Sequence, residues 1–216
     1  MRRAFALLSI LVLGLPCMSA AQVFNCFDCT IGIYDDSALT TNFGVSTTGV
    51  PKEVYLGIDF AGAESSLIGI EFSIAGMRFE TDGILLLGFE LIEPGITIGL
   101  VQAPPDTTST SMGTGGMNVG WSSCLVNDRA LARIRVLHFQ PVVNHVFQVK
   151  RRYPPLNPAL WQTPVLTRCD GPVYTAVRVT GGCYMLNWNG DPNVPCAPVL
   201  VGVESTTWSG VKQLFH

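Results

Sequence analysis

From Val54 to Phe60 every second residue is apolar: Val54, Leu56, Ile58 and Phe60 alternate with Tyr55, Gly57 and Asp59. Successive side chains of an extended chain point to opposite faces, so a period of two fits a strand with one buried face and does not fit a helix. The pattern recurs along the chain. After a turn at 61–65 it resumes at Leu67 and is clearest at Ile70, Phe72 and Ile74. Ile84 to Leu87 and Ile96 to Val101 read as further strands, with Glu93-Pro94-Gly95 as the turn before the second. Leu131 to Phe139 sets Ile134, Val136 and His138 against Arg133, Arg135 and Leu137. Val142 to Val149, Val165 to Thr167 and Val173 to Val179 follow, and Gly181-Gly182 turns the chain into Cys183 to Trp188. Many short strands with Gly/Pro turns predict an all-β fold, an antiparallel β-sandwich.

The remaining segments break that rhythm. Ala103 to Gly120 holds two prolines, a Thr/Ser run and several glycines, and is expected to be a long polar loop. Tyr153 to Pro158 cannot sit inside a sheet, because proline lacks the donor. Near the end, Trp208, Val211, Leu214 and Phe215 fall on one side at helical spacing behind Ser205 or Thr206 as a cap. A short C-terminal helix of this kind needs a surface to dock on, being too short to hold in water alone. At the other end, Arg2 and Arg3 precede the apolar run Ala4 to Leu15, and Ser19-Ala20-Ala21 supplies small residues for cleavage. That is the pattern of a signal peptide, and it is shorter than the ~20 residues a spanning helix needs. The expected organisation is a signal peptide over 1–21, a β-sandwich domain over 22–203 and an amphipathic tail over 204–216. No later segment reads as transmembrane.

Cleavage after Ala21 would remove Cys17 and leave Cys26, Cys29, Cys124, Cys169, Cys183 and Cys196. An even count in an exported chain reads as a disulfide framework. Six cysteines permit fifteen pairings. The expected set joins Cys183 to Cys196 around a Gly/Asn/Pro-rich loop, Cys124 to Cys169 between distant strands, and Cys26 to Cys29 locally. Cleavage also leaves eleven Lys and Arg against sixteen Asp and Glu. A mildly acidic surface repels phosphate backbones, which argues against a nucleic-acid partner.

No arrangement of residues points to catalysis. His138 and His145 lack cysteine or carboxylate neighbours at ligand spacing, so no metal and no cofactor is expected. Cys26-Phe27-Asp28-Cys29 has neither the second pair of a zinc site nor the βαβ setting of a redox motif. Asp59 and Glu71 sit at outward positions of strands, and no Gly-x-Ser-x-Gly elbow is present. Asn187 to Asn193 gathers oxygen donors around Gly190 without the alternating acids of a calcium loop. Trp121, Trp161 and Trp188 neighbour loops, where exposed rings would stack on sugars, and they are the candidate ligand-binding residues.

Glu53 to Gly76, with Gly116 to Phe139, resembles the strand pattern of cohesin-like modules, which are sandwiches related to carbohydrate-binding modules and to the Ig-like architecture. Asn25 to Asp35, Thr167 to Thr175 and Val203 to Lys212 are similar to stretches of a group of short secreted bacterial proteins. The resemblance implies the fold and export, and is silent on activity. The chain is a single module without internal repeats, unlike tandem cohesins. The function expected is an exported, non-catalytic binding or structural module that presents a β-sandwich to a protein or glycan partner at the cell surface. The alternatives are a small polysaccharide hydrolase, which would need two close carboxylates, and a self-assembling surface subunit.

Overall fold

The alternation at 54–60 becomes β3 (Lys52–Asp59), whose Val54, Leu56 and Ile58 are completely buried. In this computed structural model the described residues are 25–61, 66–102, 115–153, 163–169, 175–194 and 196. The other strands are β1 (Asn25–Tyr34), β2 (Phe43–Gly44), β4 (Ser66–Ala75), β5 (Ile84–Leu91), β6 (Gly95–Leu100) and β7 (Gly116–Val126). They continue as β8 (Arg129–His138), β9 (His145–Lys150), β10 (Val165–Arg168), β11 (Thr175–Gly181) and β12 (Cys183–Leu186). One turn of helix, α1 (Phe79–Asp82), precedes β5 and ends at Gly83 in the left-handed conformation.

Pairing runs β6-β7-β4-β10-β11-β1-β3-β8-β5, and it is antiparallel throughout except between β1 and β11. The strand β4 changes partners along its length: residues 66–72 pair with β7, and residues 73–75 pair with β9, which leads on to β12 and β2. Phe72 of β4 and Phe89 of β5 lie at distant points of this path, yet their ring centroids are 6.3 Å apart. The pairing path therefore folds over on itself, and the two faces share one core. Ile31 and Ile33 of β1, Leu56 and Ile58 of β3, Leu67 and Phe72 of β4, and Ile134 and Val136 of β8 all belong to it. Each such side chain contributes roughly 1.5–3 kcal/mol when fully withdrawn from water. The antiparallel β-sandwich expected from the sequence is the fold observed.

One expectation needs correction. The polar loop assigned to Ala103–Gly120 ends earlier, because residues 116–120 open β7. Met117, Val119 and Trp121 alternate inward there, and Gly116 and Gly120 between them hid the period. His138 shares the inward face of Ile134 and Val136 and is 1% exposed. The expected disulfides Cys124–Cys169 and Cys183–Cys196 are both formed, with Cα–Cα distances of 6.1 and 5.7 Å. The first ties β7 to the end of β10, the two strands that flank β4. Cys29 is also disulfide-bonded, and the side chain of Cys26 lies outside the described residues. So do the expected signal peptide, Trp161, and the tail bearing Trp208, Val211, Leu214 and Phe215.

Candidate functional site: the outer face beside β6

Residues directly opposite one another in antiparallel strands share a face. That rule builds two rows across β6, β7, β4 and β10. One row is Ile96, Gly120, Gly69 and Thr167; the other is Ile98, Asn118, Glu71 and Val165. The inward neighbours Val119 and Ile70 are core residues, so both rows face outward. Ile96, Ile98 and Leu100 are 71%, 64% and 67% exposed. Among the described strands β6 pairs with β7 alone, in an unbroken register from Gly95–Trp121 to Leu100–Gly116. The strand carries no charge and no proline within it, the devices that normally blunt a sheet edge.

Beside Ile96 the face dips into an open depression of about 420 Å³, lined by Pro94, Gly95, Ile96, Gly120, Trp121 and Ser122. A Cβ at Gly120 would meet nothing nearer than 3.9 Å, so internal packing does not demand a glycine there. Its effect is to keep the floor low. In the adjoining row the side-chain oxygen of Asn118 is buried without a hydrogen-bond partner. An orphaned acceptor of that kind costs free energy unless a ligand supplies a donor.

Among the described residues, Trp121 and Trp188 do not assemble into a platform. Trp121 is 5% exposed and packs in the core, so it has no free ring face to offer the depression that it helps to line. Trp188 is half-buried, 5.8 Å from Phe43 in an edge-on arrangement, and its indole donates to the Asp191 carbonyl at 2.9 Å. The Asn187–Asn193 segment holds itself with side-chain turns: Asn189 Oδ1 accepts from the Asp191 amide, and Asp191 Oδ1 accepts from the Asn193 amide and side chain. The oxygens that suggested calcium are used internally. Among the described residues no group of three metal-ligating side chains is found, and no helix is long and apolar enough to cross a membrane.

Two polar clusters escaped the sequence reading. The Tyr184 hydroxyl donates to Asp35 Oδ1 at 2.6 Å, and Lys52 Nζ pairs with the same carboxylate. Burial first, and then the Asp35 charge it bonds, push the Tyr184 hydroxyl well above the ordinary tyrosine range. Gly44 packs so closely here that a Cβ would come within 2.0 Å of Asp35 Oδ1. The second cluster joins Ser46 Oγ to His138 Nε2 at 2.7 Å, with His138 Nδ1 2.8 Å from the Gln140 carbonyl. The carbonyl only accepts, so Nδ1 carries the proton and Nε2 accepts from Ser46. Asn187 donates to the same hydroxyl at 3.2 Å. A serine–histidine contact of this sort suggests a nucleophile, but the imidazole is enclosed and oriented by a carbonyl in place of a carboxylate. Every partner is consumed in tying loops together. Sequence separation of 92 and 141 residues left no local signal for either bond.

No family model matches the chain, and no curated protein matches it. Solved cohesin modules align with it across most of its described length. The seventh type I cohesin of ScaB from Pseudobacteroides cellulosolvens aligns with 10% identity and a TM-score of 0.43, covering 77% of this chain and 97% of that one. A non-cellulosomal cohesin from the archaeon Archaeoglobus fulgidus gives 11% and 0.41, covering 73% and 90%. The sixth cohesin of scaffoldin B from Acetivibrio cellulolyticus, solved in complex with a dockerin, gives 9% and 0.42, covering 74% and 98%. The fold assignment stands on the strand pairing and the shared core, and nothing about partner or activity is carried across from likenesses this distant.

Proposed function

We infer that the chain is a non-catalytic binding module that docks a protein partner outside the cytosol through the outer face of β10, β4, β7 and β6. The carrying observation is the stripe of Ile96, Ile98 and Leu100, three large apolar side chains left mostly in water on an uncharged edge strand. Exposed apolar surface of that concentration marks interaction sites, and Gly120 and Gly69 in the row of Ile96 leave the face low enough for a partner's side chain to enter. Disulfides at Cys124–Cys169 and Cys183–Cys196 support an oxidising, extracytoplasmic setting such as the cell surface. A glycan partner is less favoured, because neither Trp121 nor Trp188 presents a free ring face.

The test is photo-crosslinking on intact cells from a probe at position 98, with position 80 on α1 as the control. A discrete protein adduct that forms at 98, does not form at 80, and is lost with Gly120→Leu supports the reading. Adducts to a second copy of the chain, to glycan, or equally from both positions would overturn it.

A further inference from the structure

Three of the described strands have a single partner: β2 pairs only with β12, β5 only with β8, and β6 only with β7. The free side of such a strand offers unpaired N–H and C=O groups to any extended chain. Folded proteins blunt these edges by shortness, charge, proline or a bulge. The edge of β2 is two residues long. That of β5 carries Glu90, which pairs with Arg133 of β8 at 3.3 Å, and its register shifts between Leu86 and Gly88. The edge of β6 has none of these devices. Its register with β7 is unbroken over Gly95 to Leu100, it holds no charge or proline, and all six residues are exposed. Among the described residues, no main-chain hydrogen bond reaches 95–100 from outside β7.

We propose that the protein partner is held by an extended segment that adds to the free edge of β6 as one more strand, an inference that rests on the docking role of this face. The chemistry of the edge selects the occupant. Alternate residues of β6 turn their N–H and C=O groups toward β7, and the residues between turn theirs away. An extended backbone repeats donors and acceptors at the same spacing and meets them in order. A helix has already spent its main-chain groups internally, and acyl chains have none to offer. Side chains on the added strand are selected too. Beside Ile96, Ile98 and Leu100 the favoured cross-strand neighbours are β-branched or aromatic, and beside the exposed Thr97 and Gly99 they are polar.

A second copy of β6 fits this edge poorly. A two-fold antiparallel pair keeps the apolar side chains on one face only when it is centred on a residue. Centred on Ile96, it sets Pro94, which has no N–H to give, against Ile98 of the copy. Centred on Thr97 or Ile98, it sets Gly99 against Gly95 or Thr97 of the copy. Gly99 has φ 105°, a conformation outside the extended range, and a Cβ there would come within 2.3 Å of the Gly116 carbonyl oxygen. A copy doubles that departure within one short pairing. A foreign segment meets it once and can follow it.

Panning a phage-displayed library of random peptides on the full oxidised chain, followed by hydrogen exchange of the chain with an enriched peptide, tests this. Enriched sequences are expected to alternate apolar and polar residues. Alternate amides of 95–100 should gain about tenfold or more in protection, while those between them, already bonded to β7, stay as they are. Methylating every second peptide nitrogen should weaken binding about tenfold or more in one phase and leave it intact in the other. Ile98→Lys should weaken binding by about as much at an unchanged thermal midpoint, because a charge on an edge strand opposes pairing. The methylated peptides give the same reading on the unaltered chain should that variant lose its fold. No enriched peptide, equal weakening in both methylation phases, or protection that spares 95–100 would overturn strand addition. The docking role survives such a result if the probe at position 98 still gives its protein adduct, and falls with it if the probe gives none. Alternate protection of 95–100 that rises with the chain's own concentration, without peptide, would overturn strand addition in favour of a second copy.

Discussion

The strands β3 and β6 carry the same kind of pattern and meet opposite fates. Val54, Leu56 and Ile58 alternate with smaller or polar residues and vanish into the core. Ile96, Ile98 and Leu100 alternate with Thr97 and Gly99 and remain in water. The difference lies in the neighbours. Between β1 and β8, β3 has both edges paired and its inward face closed by the opposing layer. With only β7 beside it among the described strands, β6 turns its apolar side chains outward with Gly120 and Asn118. Periodicity reports that a face is apolar, and only the packing reports what covers that face.

The largest effect that can break this contrast is in β3. Leu56→Ala should cost ~2–5 kcal/mol of stability in urea unfolding, because its side chain has no solvent to collapse toward. A cost below ~1 kcal/mol would mean the core is not closed over β3. Removing the bridge between β7 and the end of β10 comes next: Cys124→Ser/Cys169→Ser should lower stability by ~2–4 kcal/mol through the freed unfolded chain, read by the same titration.

A glycine pair sharpens the comparison further. Gly44→Ala should cost roughly 1–3 kcal/mol, since its methyl would drive into Asp35 and Tyr184, whereas Gly120→Ala should be nearly neutral on the open face. Equal costs in thermal melts would mean the open face is not open.

A smaller effect concerns alkali. The Tyr184 hydroxyl is held above its unfolded value of about 10, so the stability tied to its proton is complete below that pH and declines as pH rises beyond it. Tyr34, raised by burial and by Asp59 and Asp128, acts in the same direction. Tyr184→Phe should flatten the alkaline decline in pH-dependent unfolding, and an unchanged slope would remove Tyr184 from its cause. The smallest effect belongs to β6 itself: Ile98→Ala should shift stability by no more than ~0.5 kcal/mol.

Much of the fold was legible because a strand's alternation is a local property. The inward phase of β3, β4, β8 and β11 follows directly from residues such as Val54, Phe72, Ile134 and Val177. The β7 phase was obscured, since glycines at 116 and 120 leave only Met117, Val119 and Trp121 to mark it. The even cysteine count allowed fifteen pairings; the short, turn-rich loop pointed to Cys183–Cys196, and the expected tie between distant strands, Cys124–Cys169, was decided only by the fold. The candidate site was less readable. Trp121 looked like a loop aromatic and is a core residue, while the strand read at Ile96 to Val101 carried no sign that Ile96 and Ile98 would be exposed.

By itself the amino-acid order determined that this chain would form extended segments, which side of most of them would be apolar, and which cysteines stood ready to join. Those outcomes depend on neighbours one or two residues away and on residue chemistry. Tertiary structure alone decided that β6 would be left with an uncovered face, that Ser46 would reach His138, and that Asp35 would hold Tyr184. Coverage and long-range hydrogen bonds arise only when segments distant in the chain meet, and no local period records that meeting.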